Sequence, residues 1–196
     1  MESRTREERA QEILEETLAV LRASKEGLPA AVARAAGHII ESYGKGGKLL
    51  VFGNGGSASD ALHLQGELTN RFLFDRKGLP CLALVAGAAL ITAIANDSSY
   101  DEVFSRQVET LARPEDVVIG ISTSGRSPNV LRGIQAGKEA RAFTIALTGK
   151  GPNELASLVD LALCAPSTST PRIQEVHISL IHILCELIER ELFPAP

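Results

Sequence analysis

The chain has 196 residues, 44% of them hydrophobic and 22% charged, and a formal net charge of −4. That length and composition suit one globular domain, expected to span residues 1–196, with an aliphatic core because Trp is absent and aromatics make up 4%. The negative balance, with no basic run and no aromatic-basic interleaving, gives no reason to expect nucleic acid as a partner. In chain order, the densely charged "MESRTREERAQE" is unlike a signal peptide and runs into an amphipathic helix with Ala10, Ile13, Leu14, Leu18 and Leu21 at helical spacing. "ASKEGLP" breaks it, and Pro29 suits the first turn of a second helix carrying Val32, Ala36, Ile39, Ile40 and Tyr43, which "GKGG" ends. This helical hairpin (1–46) either covers one face of a sheet or makes a subunit contact.

From residue 47 the chain alternates. "KLLVFG" (48–53), "PCLALVA" (80–86), "DVVIGIS" (116–122), "AFTIALT" (142–148) and "LVDLALCAP" (158–166) are apolar runs of strand length. Helical segments at about 57–72, 88–95, 102–112, 127–139 and 152–157 separate them, and 167–192 closes the chain as a long helix with Pro171 near its start. Continuous apolar strands between helices predict a parallel sheet covered on both faces, an α/β class three-layer α/β/α sandwich (47–196). Ligands in such folds bind beyond the C-terminal strand ends. No apolar stretch reaches the ~18 residues needed to cross a bilayer, so no membrane partner is expected. Cys81, Cys164 and Cys185 are odd in number and without C-x-x-C spacing, which suits a reducing, cytoplasmic setting.

Two strand-to-helix turns carry small polar residues. "GNGGS" (53–57), with Asn54, Gly55 and Ser57, follows the first strand; "STSGRS" (122–127) follows the third. Backbone N–H groups, a helix N-terminus and hydroxyls together attract an anion. The second turn is the stronger phosphate cradle, since Ser122, Thr123, Ser124 and Ser127 supply four hydroxyls within six residues. One such loop reads as turn chemistry with serine N-caps. Two at C-terminal strand ends favour anion binding. Neither has the spacing of a dinucleotide or nucleotide fingerprint, so a small phosphorylated molecule fits better.

On the helix at 57–72, Ala61, Leu64, Leu68 and Phe72 form an apolar stripe, while Ser59, Asp60, His63, Glu67 and Arg71 fall on another face. His63 and Glu67, at i and i+4, project side by side. A solvated face with a Glu67–Arg71 ion pair is the plainer alternative. The last helix is apolar nearly all round and is expected to be buried, so its Gln174 and His182 need polar partners. His182 is the better ligand candidate, His177 reads as a core or interface histidine, and His38 as structural. A carboxylate, an imidazole and a divalent ion together can move a proton next to a carbonyl. Two nitrogen and two oxygen donors suit zinc, although an amide oxygen is an unusual one.

"GNGGSASDALHLQGELTNRF", "ANDSSYDEVFSRQV", "GISTSGRSPNV", "ALTGK" and "RIQEVHISLIHILCELIE", in that order, resemble the SIS (sugar isomerase) domain family and, within it, the phosphoheptose isomerases. The resemblance implies a five-stranded parallel sheet of flavodoxin-like order and a homotetramer. It implies interconversion of sedoheptulose 7-phosphate and D-glycero-D-manno-heptose 7-phosphate, feeding heptose nucleotide synthesis for lipopolysaccharide or another glycan. Carried over by position, His63, Glu67, Gln174 and His182 would ligate zinc. Glu67 would be the base acting through an enediol, and His182 the acid. Ser122, Thr123, Ser124 and Ser127 would hold the phosphate, with Asn54, Ser57, Arg71, Asn96 and Asp97 lining the sugar.

One departure stands out: Ala58 and Ser59 replace a His-Cys pair frequent in the family, which implies altered site polarity or metal dependence. Two other readings compete. The DnaA initiator-associating protein, a tetrameric scaffold without isomerase activity, is similar at "AIANDSSYDEVFSRQV" and "RIQEVH" but does not keep the Glu and His of the isomerase site; here Glu67 and His182 are both present. A sugar-phosphate sensor needs the cradle but no base or metal.

Overall fold

The structure, a computed structural model, describes residues 5–193; residues 1–4 and 194–196, part of the expected single domain, lie outside the described residues. The N-terminal hairpin forms as expected. Helix α1 (Arg6–Ser24) opens with a capping box between Thr5 and Glu8, and α2 (Leu28–Gly44) carries Pro29 in its first turn. Only α2 enters the core, through Leu28, Val32, Ala35, Ala36 and Ile39. Helix α1 buries no residue. Its Val20 and Leu21 pack partly buried against that core, and the Arg172 guanidinium donates to the Ile13 carbonyl at 2.7 Å.

The remaining elements are β1 (Leu49–Gly53), α3 (Gly56–Thr69), β2 (Cys81–Ala83), α4 (Ala88–Asp97), α5 (Ser105–Leu111), β3 (Val117–Ser122), α6 (Pro128–Glu139), β4 (Phe143–Thr148), α7 (Glu154–Leu158), β5 (Leu161–Cys164) and α8 (Thr170–Leu192). All five strands are parallel in the order β2-β1-β3-β4-β5, the flavodoxin-like order. Strand β1 shows why the run is continuously apolar. Leu49 and Val51 join the core under α2, α3 and α8, while Leu50 and Phe52 join the one under α5 and α6. Among the described residues, no helix is long and apolar enough to cross a membrane.

Several boundaries differ from the expected ones, each for a local reason. The segment expected as one helix at 102–112 splits into a 3-10 turn (Tyr100–Glu102) and α5. Asn153 accepts from the Ala156 N–H at 2.9 Å and starts α7, which takes Leu158 away from the expected strand. The largest change is at the end of α3. The helix stops at Thr69, because the N–H groups of Phe72 and Leu73 donate to the Glu189 carboxylate rather than back along the chain. Arg71 therefore lies outside the helix and is exposed, so the expected face shared by Glu67 and Arg71 does not exist.

Candidate active site

The turns after β1 and β3 sit side by side at the C-terminal edge, where the strand order reverses and α/β sheets open a crevice. In the β3–α6 turn, the Ser122 hydroxyl lies 3.0 Å from that of Ser127 and 3.4 Å from that of Ser124. Ser127 occupies the N-cap position of α6 but makes no side-chain capping bond. The hydroxyls lie close to one another, and Ser122 and Ser124 also accept from the Gly125 and Arg126 N–H groups at 3.2 and 3.3 Å, as in an ordinary turn, although no serine caps α6. Gly125 supplies the left-handed bend at φ 64°, where a side chain would strike Asn153. Beneath the turn, the Thr148 hydroxyl donates to the Ser122 carbonyl at 2.7 Å, and His177 Nε2 lies 3.1 Å from the Thr148 carbonyl. Thr123 is half-buried within the same turn.

The β1–α3 turn is tied to its surroundings by Asn54. Its amide exchanges hydrogen bonds with Asn129 at 2.8 and 2.9 Å and accepts from the Tyr100 hydroxyl at 3.1 Å. Gly55 has φ 56° and is exposed, and Ser57 is buried. At Gly56 a Cβ would stand 2.1 Å from Gln174 Nε2, so the Gln174 carboxamide rests on backbone that only glycine leaves clear. Asn96 and Asp97 are exposed at the end of α4, the Asn96 amide donating to Asp97 at 2.8 Å; among the described residues neither bonds to the cradle or to the histidines.

Farther along α3 the chemistry-bearing side chains meet. His63 Nε2 is 2.9 Å from His182 Nε2 of α8 and 3.3 Å from Glu67 Oε1. The His63 and Glu67 side chains are 39% and 27% exposed and His182 is exposed as well, so the cluster opens to solvent and α8 is not buried all round as expected. Phe72 stacks on the His182 ring at 5.7 Å between centroids. Glu67 therefore pairs with an imidazole and not with Arg71. Asp60, one turn before His63, is buried; burial pushes its carboxyl up to about 6, with the nearby His63 opposing, and its Oδ2 has no partner among the described residues.

His177 is fully buried, and burial lowers its pKa to about 4, the Thr148 carbonyl only partly offsetting. It is a core histidine, as expected. His38 stacks on Phe143 at 3.8 Å and lines a cleft of about 510 Å³ at the N-terminal edge of the sheet, away from this cluster. Ala58 is half-buried and Ser59 exposed. Sequence reasoning missed Asn129 and Tyr100 as partners of Asn54, Phe72 as a partner of His182, and the burial of Asp60. The dense polar spacing of "NDSSYD" was the one available signal for Tyr100.

Ligands of a tetrahedral zinc with bonds of about 2.0–2.1 Å stand roughly 3.3 Å apart. The His63–Glu67 pair has that spacing at 3.3 Å, whereas the His63–His182 contact at 2.9 Å is a hydrogen bond between rings. Among the described residues no group of three or more His, Cys, Asp or Glu side chains is arranged to hold a metal. The donor types of His63, Glu67 and His182 fit zinc with a slight parting of the two rings, whereas the Gln174 carboxamide rests on Gly56 and is not brought into that cluster.

Comparison with known proteins adds three findings. The SIS domain family model matches residues 12–149. A phosphoheptose isomerase of Trichlorobacter lovleyi is 49% identical over 180 residues, covering 92% of both chains. Solved structures of phosphoheptose isomerases from Francisella tularensis (TM-score 0.92, 33% identity, 95% of this chain and 100% of that one) and Neisseria gonorrhoeae (0.89, 38%, 94% and 99%) share the fold.

Proposed function

The chain belongs to the SIS domain family and, within it, to the phosphoheptose isomerases; on that premise we propose that it converts sedoheptulose 7-phosphate to D-glycero-D-manno-heptose 7-phosphate through an enediol, opening heptose nucleotide biosynthesis. The observation that carries the reading is the convergence of His63, Glu67 and His182 from two helices at 2.9 and 3.3 Å. A scaffold or sensor needs no such cluster.

The hydroxyls of Ser122, Thr123, Ser124 and Ser127, with the start of α6, hold the phosphate. Asn54, Gly55, Ser57, Arg71, Asn96 and Asp97 line the sugar. His63 lies about 10 Å along α3 from its first turn. Glu67 takes the proton from one of the two carbons of the α-hydroxycarbonyl and returns it to the other, while His182 gives a proton to the carbonyl oxygen and takes one back from the neighbouring hydroxyl as that becomes the new carbonyl. His63 orients Glu67. Zinc, held by His63, Glu67 and His182, would polarise the carbonyl oxygen when bound; Gln174, expected as the fourth ligand, would have to leave Gly56 to join them.

The same reading takes residues 1–196 as one cytoplasmic SIS domain without nucleic acid or membrane partners. It assembles as a homotetramer, with the Ile13, Leu14 and Leu18 stripe of α1 covered by another copy. The test is isomerisation of sedoheptulose 7-phosphate by the zinc-loaded protein. Glu67→Gln removes turnover and spares substrate binding; a variant with wild-type rate would show that Glu67 is not the base.

A further inference from the structure

Helices α3 and α8 touch at both ends, and the reacting cluster lies between. At one end Gln174 sits on Gly56. At the other is a buried ion pair, Arg76 Nε to Glu189 Oε1 at 2.9 Å, with side chains 2% and 0% exposed. Neither residue has a place in the chemistry described so far.

The pair bonds to an unusual set of atoms. Arg76 donates to the carbonyls of Glu67 at 2.8 Å, Leu68 at 2.6 Å and Asn70 at 3.2 Å, the groups that a helix end leaves without partners. Glu189 accepts from the N–H groups of Phe72 at 3.0 Å and Leu73 at 2.7 Å. Glu189 follows His182 by seven residues, two helical turns on the same face of α8. Burial raises the Glu189 pKa, but the Leu73 and Phe72 N–H groups and the Arg76 guanidinium outweigh it, so the carboxyl stays ionised below its ordinary range.

We propose that Arg76 and Glu189 are positioning residues that set the separation of Glu67 and His182. Arg76 reaches the first through its own backbone carbonyl. Glu189 reaches the second through Phe72, whose N–H it fixes and whose ring stacks on His182. Capping the end of α3 accounts for the stability of these contacts; that they fall on the Glu67 carbonyl and on the residue stacked on His182 is what ties the pair to the reacting groups. The inference rests on Glu67 and His182 being the reacting pair.

Displacement of a reacting group by about 1 Å can cost on the order of 100-fold in rate. Arg76→Lys keeps the charge and loses the fork, and kcat is expected to fall about 10- to 100-fold with KM changed by less than about 2-fold. Phe72→Leu leaves the ion pair intact, and kcat falls about 5-fold or more, with Tm nearly unchanged and the imidazole nitrogen resonances of His182 shifted. Inorganic phosphate affinity stays the same in both, since the cradle is on another loop. If Arg76→Lys does not fold, Phe72→Leu decides. Wild-type kcat in the folded variants, alongside an inactive Glu67→Gln, overturns the proposal. An active Glu67→Gln instead overturns the assignment of the base.

Discussion

Acid weakens this fold through one imidazole more than through any surface group. His177 is 0% exposed, its Nε2 donating to the Thr148 carbonyl at 3.1 Å, and burial holds its pKa near 4 against an ordinary value of 6.5. Between those two values the unfolded chain binds a proton that the folded chain refuses. Stability therefore rises with pH across the window and is lost as pH falls from about 6.5 through about 4. The gap, at about 1.4 kcal/mol per pH unit, amounts to roughly 3 kcal/mol in full and slightly less at pH 4.5. Against a total stability of about 5–15 kcal/mol this is a large share. Asp60, pushed up to about 6 by burial, acts with the opposite sign, and Glu189, held low, with the same sign. Both contributions are common to wild type and His177→Gln, so comparing the two isolates the imidazole. Gln keeps a donor for Thr148 and does not titrate. Urea unfolding at pH 7 and 4.5 should show the wild type losing about 2–3 kcal/mol more than the variant. Equal losses, within about 0.5 kcal/mol, would refute the reasoning.

Gly125→Ala places a Cβ 2.1 Å from Asn153 Oδ1 at φ 64°. The left-handed strain and the disturbed cap of α7 together cost about 2–3 kcal/mol in urea unfolding. Inorganic phosphate, measured by calorimetry, should bind several-fold more weakly; unchanged stability and binding would show that the bend is not needed. Leu14 and Leu18 are 65% and 50% exposed on α1, so changing both to Glu should leave protomer stability within about 1 kcal/mol. If the proposed homotetramer is contacted through α1, the double variant should lower the mass seen by sedimentation, and a mass equal to that of the wild type would show that α1 is not the contact.

What was legible in the sequence was local. The strands could be read because Leu49 and Val51 face one core and Leu50 and Phe52 the other, which forces an unbroken apolar run. The cradle could be read because its hydroxyls fall within six residues of chain. The meeting of His63 and His182 joins positions 119 residues apart, and no periodicity predicts it. The family resemblance supplied that link.

The end of α3 shows the limit most clearly. Apolar spacing through Ala61, Leu64, Leu68 and Phe72 predicts a helix to residue 72, and Phe72 does turn inward, but from outside the helix. The cause is Glu189, which takes the N–H groups of Phe72 and Leu73 from more than 100 residues away and overrides local propensity. That break has a chemical consequence. A helix continuing through residue 72 would set Arg71 one turn beyond Glu67, at the spacing of an ion pair. A guanidinium there would stabilise the carboxylate and compete with the proton that the proposed base would accept. By ending the helix at Thr69, the buried carboxylate keeps Arg71 off that face and leaves Glu67 to His63.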